Sequence, residues 1–145
     1  MAYSIQTVAE KTGLAISTLR FYDKAGLLPF VARDSSGYRA FTDGDLALLH
    51  TIVCLKNTGM KIADIRQYIE LVMAGPTTAK DRQALLAAHR EAVVAKQQEM
   101  ARSLAEIDYK LQMYASPDAE AKVAKEWALA SADKEKNGLP NPFTA

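Results

Sequence analysis

The sequence is informative first through what it lacks. A single cysteine, Cys54, excludes an intrachain disulfide and any metal site built from several thiolates of one chain. No run of residues approaches the roughly 18 consecutive apolar residues that a membrane span needs. The N-terminus also lacks a basic segment followed by an apolar leader. We therefore expect a protein without a membrane segment that stays in the cytoplasm.

Charge of one sign and catalytic motifs are also scarce. The net charge is only +1, and residues 1–66 hold eight Lys/Arg against six Asp/Glu, so bulk electrostatics favour nucleic acid only weakly. The chain has no phosphate-cradling glycine loop, no cluster of metal ligands and no nucleophile with a recognisable base. We expect no enzymatic activity, no metal and no cofactor.

What is present begins with two short helices. Ser4 is a plausible N-cap of a helix that ends at Gly13, and Ser17 opens a second helix that runs to about Ala25 and stops at Gly26. Two short helices joined by a glycine-containing turn predict a helix-turn-helix.

A small β-hairpin should follow the second helix. Residues 30–33 and 38–41 have extended character, and the segment 34–37, Asp-Ser-Ser-Gly, has strong turn chemistry. This hairpin would be the wing of a winged helix-turn-helix.

Two further helices complete the predicted N-terminal domain, residues 1–75. Thr42 and Asp45 form a capping-box pattern for a helix that stops at Gly59, and another helix runs from about Lys61 to Ala74.

A long helix is predicted for residues 76–115. Thr78 and Asp81 repeat the capping pattern, and no glycine or proline follows until Pro117, which permits a helix about 50 Å long at about 1.5 Å per residue. Apolar residues recur at heptad spacing, which predicts a coiled-coil dimerisation seam formed by Leu86, Val93, Met100, Leu104, Ile107, Leu111 and Tyr114. The alternative is that this helix packs back on its own domain. In the tail, residues 116–145, Trp127 and Leu129 can lie on a short helix, and the segment 137–142 that follows should fray.

The outward face of the second helix is basic and aromatic. Advancing the helix by about 100° per residue places Ser17, Arg20, Phe21 and Lys24 on the side opposite the core. Arg33, Tyr38 and Arg39 give the hairpin a second basic and aromatic projection. Hydroxyls and cations suit phosphates, and an aromatic ring or an arginine suits base edges and methyl groups, so we predict DNA binding. The alternative is a solvated charged face.

Three ordered motifs resemble those of the MerR family of transcription regulators: residues 18–28 (TLRFYDKAGLL), 37–41 (GYRAF) and 55–60 (LKNTGM). The resemblance covers the DNA-binding half and the long helix. Phe21 stands where family members often have tyrosine, and Lys61 stands where a helix-capping serine or threonine is common.

The resemblance implies a mainly α-helical protein, with a winged helix-turn-helix DNA-binding domain followed by a long dimerising coiled-coil helix. It implies a homodimer that bends and untwists double-stranded promoter DNA so that RNA polymerase can use the promoter. It also adds Thr18 and Tyr22 to the DNA-binding residues, with phosphate contacts from Arg20, Tyr22, Tyr38 and Arg39.

Cys54 is the predicted sensor. It lies off the apolar stripe of the third helix, and His50, one turn earlier, and Lys56 can stabilise a thiolate. Its position resembles that of the single cysteine in the thiol-sensing branch of the family, related to regulators of aldehyde and nitrosative-stress genes, which implies a response to electrophile, aldehyde or nitrosative stress. The alternative is that Cys54 packs as a small hydrophobe. His50 and His89 are interpreted as surface or interface residues rather than metal ligands.

Two other functions remain open at this point. One is a metal-responsive or small-molecule-responsive regulator of the same fold, in which Cys54 is structural. The other is a coiled-coil interaction protein that does not bind DNA.

Overall fold

The computed structural model describes residues 1–144, and its first two helices form the predicted helix-turn-helix. Helix α1 (Ile5–Thr12) begins after Ser4, whose hydroxyl accepts a hydrogen bond from a first-turn amide, and ends at Gly13 with a φ of 73°. Helix α2 spans Ile16–Lys24. Ser17 is therefore the second residue of α2 rather than its opener, and the helix starts without a side-chain cap.

The hairpin is present but shorter than predicted. Strands β1 (Ala32–Arg33) and β2 (Arg39–Ala40) pair antiparallel. Asp34 holds the turn, because its carboxylate accepts hydrogen bonds from two turn amides at 2.9 and 3.0 Å. Phe41 leaves the hairpin and forms a bridge with Tyr3, which joins the wing to the N-terminus.

Helices α3 (Asp43–Asn57) and α4 (Ile62–Met73) lie close to the predicted bounds. The capping box at α3 is confirmed: the Thr42 hydroxyl accepts from the Asp45 amide, and the Asp45 carboxylate accepts from the Thr42 amide. Lys61 precedes α4 and supplies no side-chain cap, as its amino-acid type predicts.

One apolar core joins these elements. Its members come from all four helices, the wing and the loop after α2, so each amphipathic face is buried against the others. The buried residues are Val8, Leu19, Tyr22, Leu27, Leu28, Val31, Phe41, Leu49, Ile52, Leu55, Met60, Ile65 and Ile69.

The long helix α5 spans Ala79–Ala115, 37 residues or about 55 Å, and follows a short 3₁₀ turn over Pro76–Thr78. The predicted pairing of Thr78 with Asp81 is wrong, because the Thr78 hydroxyl instead donates to backbone carbonyls before the helix. By contacts the chain divides into two compact units, Met1–Ala95 and Lys96–Ala145. Among the helices formed by residues 1–144, none has the length and apolar character that crossing a membrane requires.

The tail is more ordered than predicted. Helix α6 spans Ala119–Lys136, 18 residues, rather than a short segment. The indole Nε1 of Trp127 donates to the carbonyl of Phe143 at 2.8 Å, and the two rings meet edge to face at 5.5 Å. Asn141 also donates to the Ser131 hydroxyl at 2.7 Å. These contacts fold the last described residues back onto α6.

The two faces of α2 should differ sharply in their contribution to stability. Leu19 is fully buried, whereas Phe21 is 51% exposed. We expect Leu19→Ala to lower the free energy of unfolding by about 2–5 kcal/mol, and Phe21→Ala by less than about 1 kcal/mol. Urea denaturation followed by circular dichroism measures both. Equal losses would contradict the assignment of the two faces.

Candidate nucleic-acid interface

A cleft of about 260 Å³ lies between α2 and the wing and gathers much of the predicted DNA-binding set. Arg20 from α2 lines it together with Arg33, Tyr38 and Arg39 from the wing. Three guanidinium groups thus meet one carboxylate, that of Asp23, in a single concave surface. A concave surface with an excess of positive charge suits a phosphate group.

Arg39 is the most constrained of these arginines. Its Nε and Nη2 donate to the two carboxylate oxygens of Asp23 at 3.0 and 2.5 Å, and its Nη1 donates to the Val31 carbonyl. Three of its five N–H groups are therefore used within the chain, and two remain for a ligand. This bidentate pair joins the wing to α2, so Arg39 positions the interface as well as lining it.

Sequence reasoning missed Asp23. It is the only acidic residue in α2, and it stands between the basic residues Arg20 and Lys24. An isolated carboxylate on a basic face is the signal that could have identified it as an internal partner of an arginine. Its side chain is 27% exposed, which fits a residue that faces the wing rather than solvent.

Arg20 and Arg33 are more available than Arg39. Arg33 donates one hydrogen bond, to the Gly37 carbonyl at 2.8 Å, and the exposed side chain of Arg20 has no ion pair among residues 1–144. Tyr38, beside the hairpin turn, is 73% exposed. These side chains can contact a phosphate backbone without first breaking internal bonds.

The outward face of α2 is arranged as predicted. Ser17, Arg20, Phe21 and Lys24 are exposed. Thr18 is half-buried, so it lies at the edge of this face.

Tyr22 lies on the opposite, buried side of α2, in the core. No buried side-chain oxygen in residues 1–144 lacks a hydrogen-bond partner, and the Tyr22 hydroxyl has none within that part of the chain. The hydroxyl must therefore reach the surface, and it is the only part of Tyr22 that can contact DNA.

Arg66 is a second positioning residue that the sequence did not reveal. Its Nε donates to the Ala25 carbonyl, at the C-terminal end of α2, at 2.8 Å. Gly26 has a φ of 80°, and a Cβ there would lie 3.4 Å from the Arg66 Nε. Glycine is required here for the positive φ that ends α2, because a Cβ would meet Arg66 only at ordinary van der Waals distance. The charge of Arg66 suits the negative end of the helix.

Cys54 is exposed on α3, where half-exposure was expected. Neither His50 nor Lys56 forms a hydrogen bond with its sulfur among the described residues, although both were predicted as neighbours of a thiolate. Instead, the Cys54 carbonyl accepts a hydrogen bond from the Thr58 hydroxyl at 2.8 Å. The same hydroxyl lies 2.7 Å from Nε2 of His89 on α5.

The predicted dimerisation residues divide into two groups. Leu86 packs against the core of its own unit, and Val93 is half-buried. The others are more than half exposed: Met100, Leu104, Ile107, Leu111 and Tyr114. The coiled-coil seam stays a prediction, and its apolar residues are accessible to a partner mainly in the second half of α5.

Candidate metal ligands do not gather in the structure. Within residues 1–144, no three His, Cys, Asp or Glu side chains come close enough to hold a metal ion.

Comparisons with known proteins agree with this geometry. Residues 3–71 match the family profile "MerR HTH family regulatory protein", and residues 46–110 match the profile "MerR, DNA binding". The chain is 44% identical over 114 residues to an uncharacterized HTH-type transcriptional regulator of Haemophilus influenzae, an alignment that covers 79% of this chain and 84% of that protein. It is 34% identical over 91 residues to the HTH-type transcriptional regulator AdhR of Bacillus subtilis, covering 63% and 65% of the two chains.

A solved structure extends the similarity to three dimensions. The crystal structure of HiNmlR, described as a MerR family regulator lacking the sensor domain and bound to promoter DNA, has a TM-score of 0.74 and 43% identity. The match covers 83% of this chain and 94% of that one.

The Arg39–Asp23 pair should matter for the stability of the wing. We expect Arg39→Gln to lower the free energy of unfolding by about 1–3 kcal/mol, because it removes charge-assisted hydrogen bonds and leaves the partly buried Asp23 carboxylate unpaired. Arg33→Gln is the matched control and should cost less than about 1 kcal/mol, since it loses one exposed hydrogen bond. Urea denaturation and hydrogen exchange of the wing amides measure both effects. Similar values for the two variants would show that the pair does not hold the wing.

Proposed function

Because the chain belongs to the MerR family of DNA-binding transcription regulators, we propose that it binds promoter DNA as a homodimer through α2 and the wing, and that chemical modification of Cys54 switches its effect on transcription. The observation that carries the DNA-binding part is the cleft in which Arg20, Arg33 and Arg39 meet around Asp23. The promoter-bound state of the relative HiNmlR supports the same assignment.

Each part of the interface has a distinct role. Arg20, Arg33 and Tyr38, with the two remaining N–H groups of Arg39, contact phosphates and set the register of the protein on the duplex. The outward face of α2 enters the major groove, where Ser17, Phe21 and Lys24 meet base edges, thymine methyl groups and phosphates. Thr18 contacts the DNA backbone at the edge of this face, and Tyr22, on the other side of α2, contacts a phosphate through its hydroxyl alone.

A second copy of the chain covers the exposed apolar residues of α5. Five apolar side chains in the second half of α5 recur at heptad-related spacing and are each more than half exposed: Met100, Leu104, Ile107, Leu111 and Tyr114. A contiguous apolar surface of this kind is typical of an interface with another protein chain. In an antiparallel pair, the two long helices would separate two winged modules by a set distance. Such a dimer selects a bent and untwisted promoter, and it presents that promoter to RNA polymerase in the cytoplasm.

Cys54 is placed where a covalent change can reach α5. Cys54 is an exposed residue of α3, and its carbonyl is linked through Thr58 to His89. In transnitrosation, for example, the Cys54 thiolate attacks the nitrosyl nitrogen of a nitrosothiol, a new S–N bond forms at Cys54, and the donor leaves as its thiolate. Added bulk at the end of α3 would then change the DNA shape that the dimer prefers.

Loss of a phosphate-contacting arginine should weaken binding in a salt-dependent way. We expect Arg20→Gln and Arg33→Gln each to lower the affinity for a duplex from the promoter upstream of the protein's own gene. Each should also reduce the slope of log K against log salt by about 1, because one phosphate contact is lost. Fluorescence anisotropy at several salt concentrations measures both quantities. Arg102→Gln, on the exposed surface of α5, serves as the control, and a slope unaffected by either cleft variant would remove these arginines from the interface.

The role of Cys54 can be separated from DNA binding. We expect Cys54→Ser to bind the same promoter with the affinity of the wild type, because the sulfur lies outside the cleft between α2 and the wing. Transcription in vitro from that promoter, with and without S-nitrosoglutathione, should change for the wild type and stay constant for Cys54→Ser. An equal response from both proteins would exclude Cys54 as the sensor.

A further inference from the structure

The first turns of α5 are fixed to the N-terminal unit by two sets of hydrogen bonds, which we call the α5 anchor: Thr58, Thr78, Arg82 and His89. All four residues lie within the compact unit Met1–Ala95. None of them is assigned a role in DNA contact above.

Arg82 makes the first attachment, at the corner between α4 and α5. Its Nη2 donates to the Gly75 carbonyl at 2.8 Å and to the Leu71 carbonyl at 3.3 Å, and its Nε donates to the Thr78 hydroxyl at 3.0 Å. The single proton of the Thr78 hydroxyl is shared between the Leu71 carbonyl at 2.6 Å and the Gly75 carbonyl at 2.7 Å. The last carbonyls of a helix lack hydrogen-bond partners within it and carry partial negative charge. The half-buried guanidinium of Arg82 donates hydrogen bonds to these carbonyls and supplies a positive charge beside them.

His89 makes the second attachment, to the end of α3. The Thr58 hydroxyl lies 2.8 Å from the Cys54 carbonyl and 3.2 Å from the Leu55 carbonyl, at the C-terminal end of α3. It also lies 2.7 Å from Nε2 of His89 on α5. A hydrogen bond therefore joins the hydroxyl to the imidazole, and the tautomer of His89 sets which of the two donates.

The spacing of the two attachments determines what they do together. Arg82 and His89 are seven residues apart, two turns along the same face of α5, or about 10 Å. A single attachment would act as a pivot, whereas two attachments, at the ends of α4 and α3, fix the direction in which the first turns of α5 leave the N-terminal unit. Leu85 and Leu86 lie between Arg82 and His89 in the sequence, and both pack against the core.

We infer that Arg82 and His89 are specificity-determining residues that set the distance between the two promoter half-sites that the dimer accepts. The inference rests on the dimer proposed above. Beyond His89, α5 continues for about 40 Å, so turning a straight helix by about 5° moves its end by about 3.5 Å. That displacement is close to the rise of one base pair, about 3.4 Å.

The test uses duplexes of the protein's own upstream promoter in which the spacer between half-sites is lengthened or shortened one base pair at a time. We expect wild-type affinity to fall about tenfold or more for a one-base-pair change, since the DNA must be deformed to restore the register. Three variants test the anchor: Arg82→Gln, His89→Leu and Thr58→Val. In each, the affinity should fall by only about threefold or less for a one-base-pair change in the spacer, or the spacer length that binds most tightly should shift by one base pair.

Four measurements keep the result specific. Affinity for a duplex with one half-site should stay unchanged in the three variants, because the cleft between α2 and the wing is intact.

Thr51→Val is the matched control for Thr58→Val, because the Thr51 hydroxyl donates only within α3. Arg102→Gln is the control for Arg82→Gln. His89→Gln and Thr58→Ser retain a donor and a hydroxyl respectively, and should restore the wild-type profile. Circular dichroism and sedimentation confirm that each variant is folded and retains the oligomeric state of the wild type.

The two levels of the proposal fail in different ways. A steep wild-type profile that all three variants share would overturn the role of the anchor and leave the dimeric regulator intact. A wild type that binds every spacer equally, or that sediments as a monomer on DNA, would contradict the proposed dimer and the anchor's role together.

Discussion

The candidate interface depends on the ion pair between Asp23 and Arg39. One carboxylate on α2 holds one guanidinium of the wing through two hydrogen bonds, and a third bond ties that guanidinium to the Val31 carbonyl. Both side chains are about three-quarters buried, so the pair is less screened by solvent than a surface ion pair. Without it, the wing would be held only by the bridge between Phe41 and Tyr3 and by its core residues, and Arg33 and Tyr38 would lose their link to α2.

Placement of charge explains how a nearly neutral chain can contain a nucleic-acid interface. The net charge of +1 says little, because the acidic residues are distributed elsewhere and only Asp23 faces the cleft. Asp23 neutralises the arginine that needs to be held and leaves Arg20 and Arg33 for a ligand. The local excess of positive charge is created by folding, which brings α2 and the wing together.

Side chains that serve both structure and the proposed function also occur at the junction of the N-terminal unit with α5. Thr58, Arg82 and His89 all satisfy groups at helix ends or within helices, and each can be interpreted as a structural hydrogen bond by itself. Their combined effect is to fix the first turns of α5, up to His89, on the N-terminal unit. In a regulator that distinguishes promoters by the spacing of half-sites, the way these first turns are held has a functional consequence. Closely packed elements shift between discrete arrangements rather than deforming continuously, so a small change at the anchor would change which spacing the dimer accepts.

The sequence by itself determined the number and kind of the N-terminal elements, the capping box at Thr42, the extent of α5 to within a few residues and the outward face of α2. These are local properties: glycines, prolines and caps end helices, and a period of 3.6 residues separates faces. Only the tertiary structure decided that Asp23 holds Arg39, that Arg66 reaches the end of α2, that Leu86 packs on its own domain, and that Thr58 pairs with His89 of α5. The 18-residue length of α6 also needed the structure, because the contact between Trp127 and Phe143 joins the helix to the end of a tail for which the sequence predicts a short helix and then fraying. Each of these contacts joins residues that are distant in sequence, and each residue had several partners of equivalent chemistry. A local sequence pattern carries no information about which of those partners the fold brings into contact.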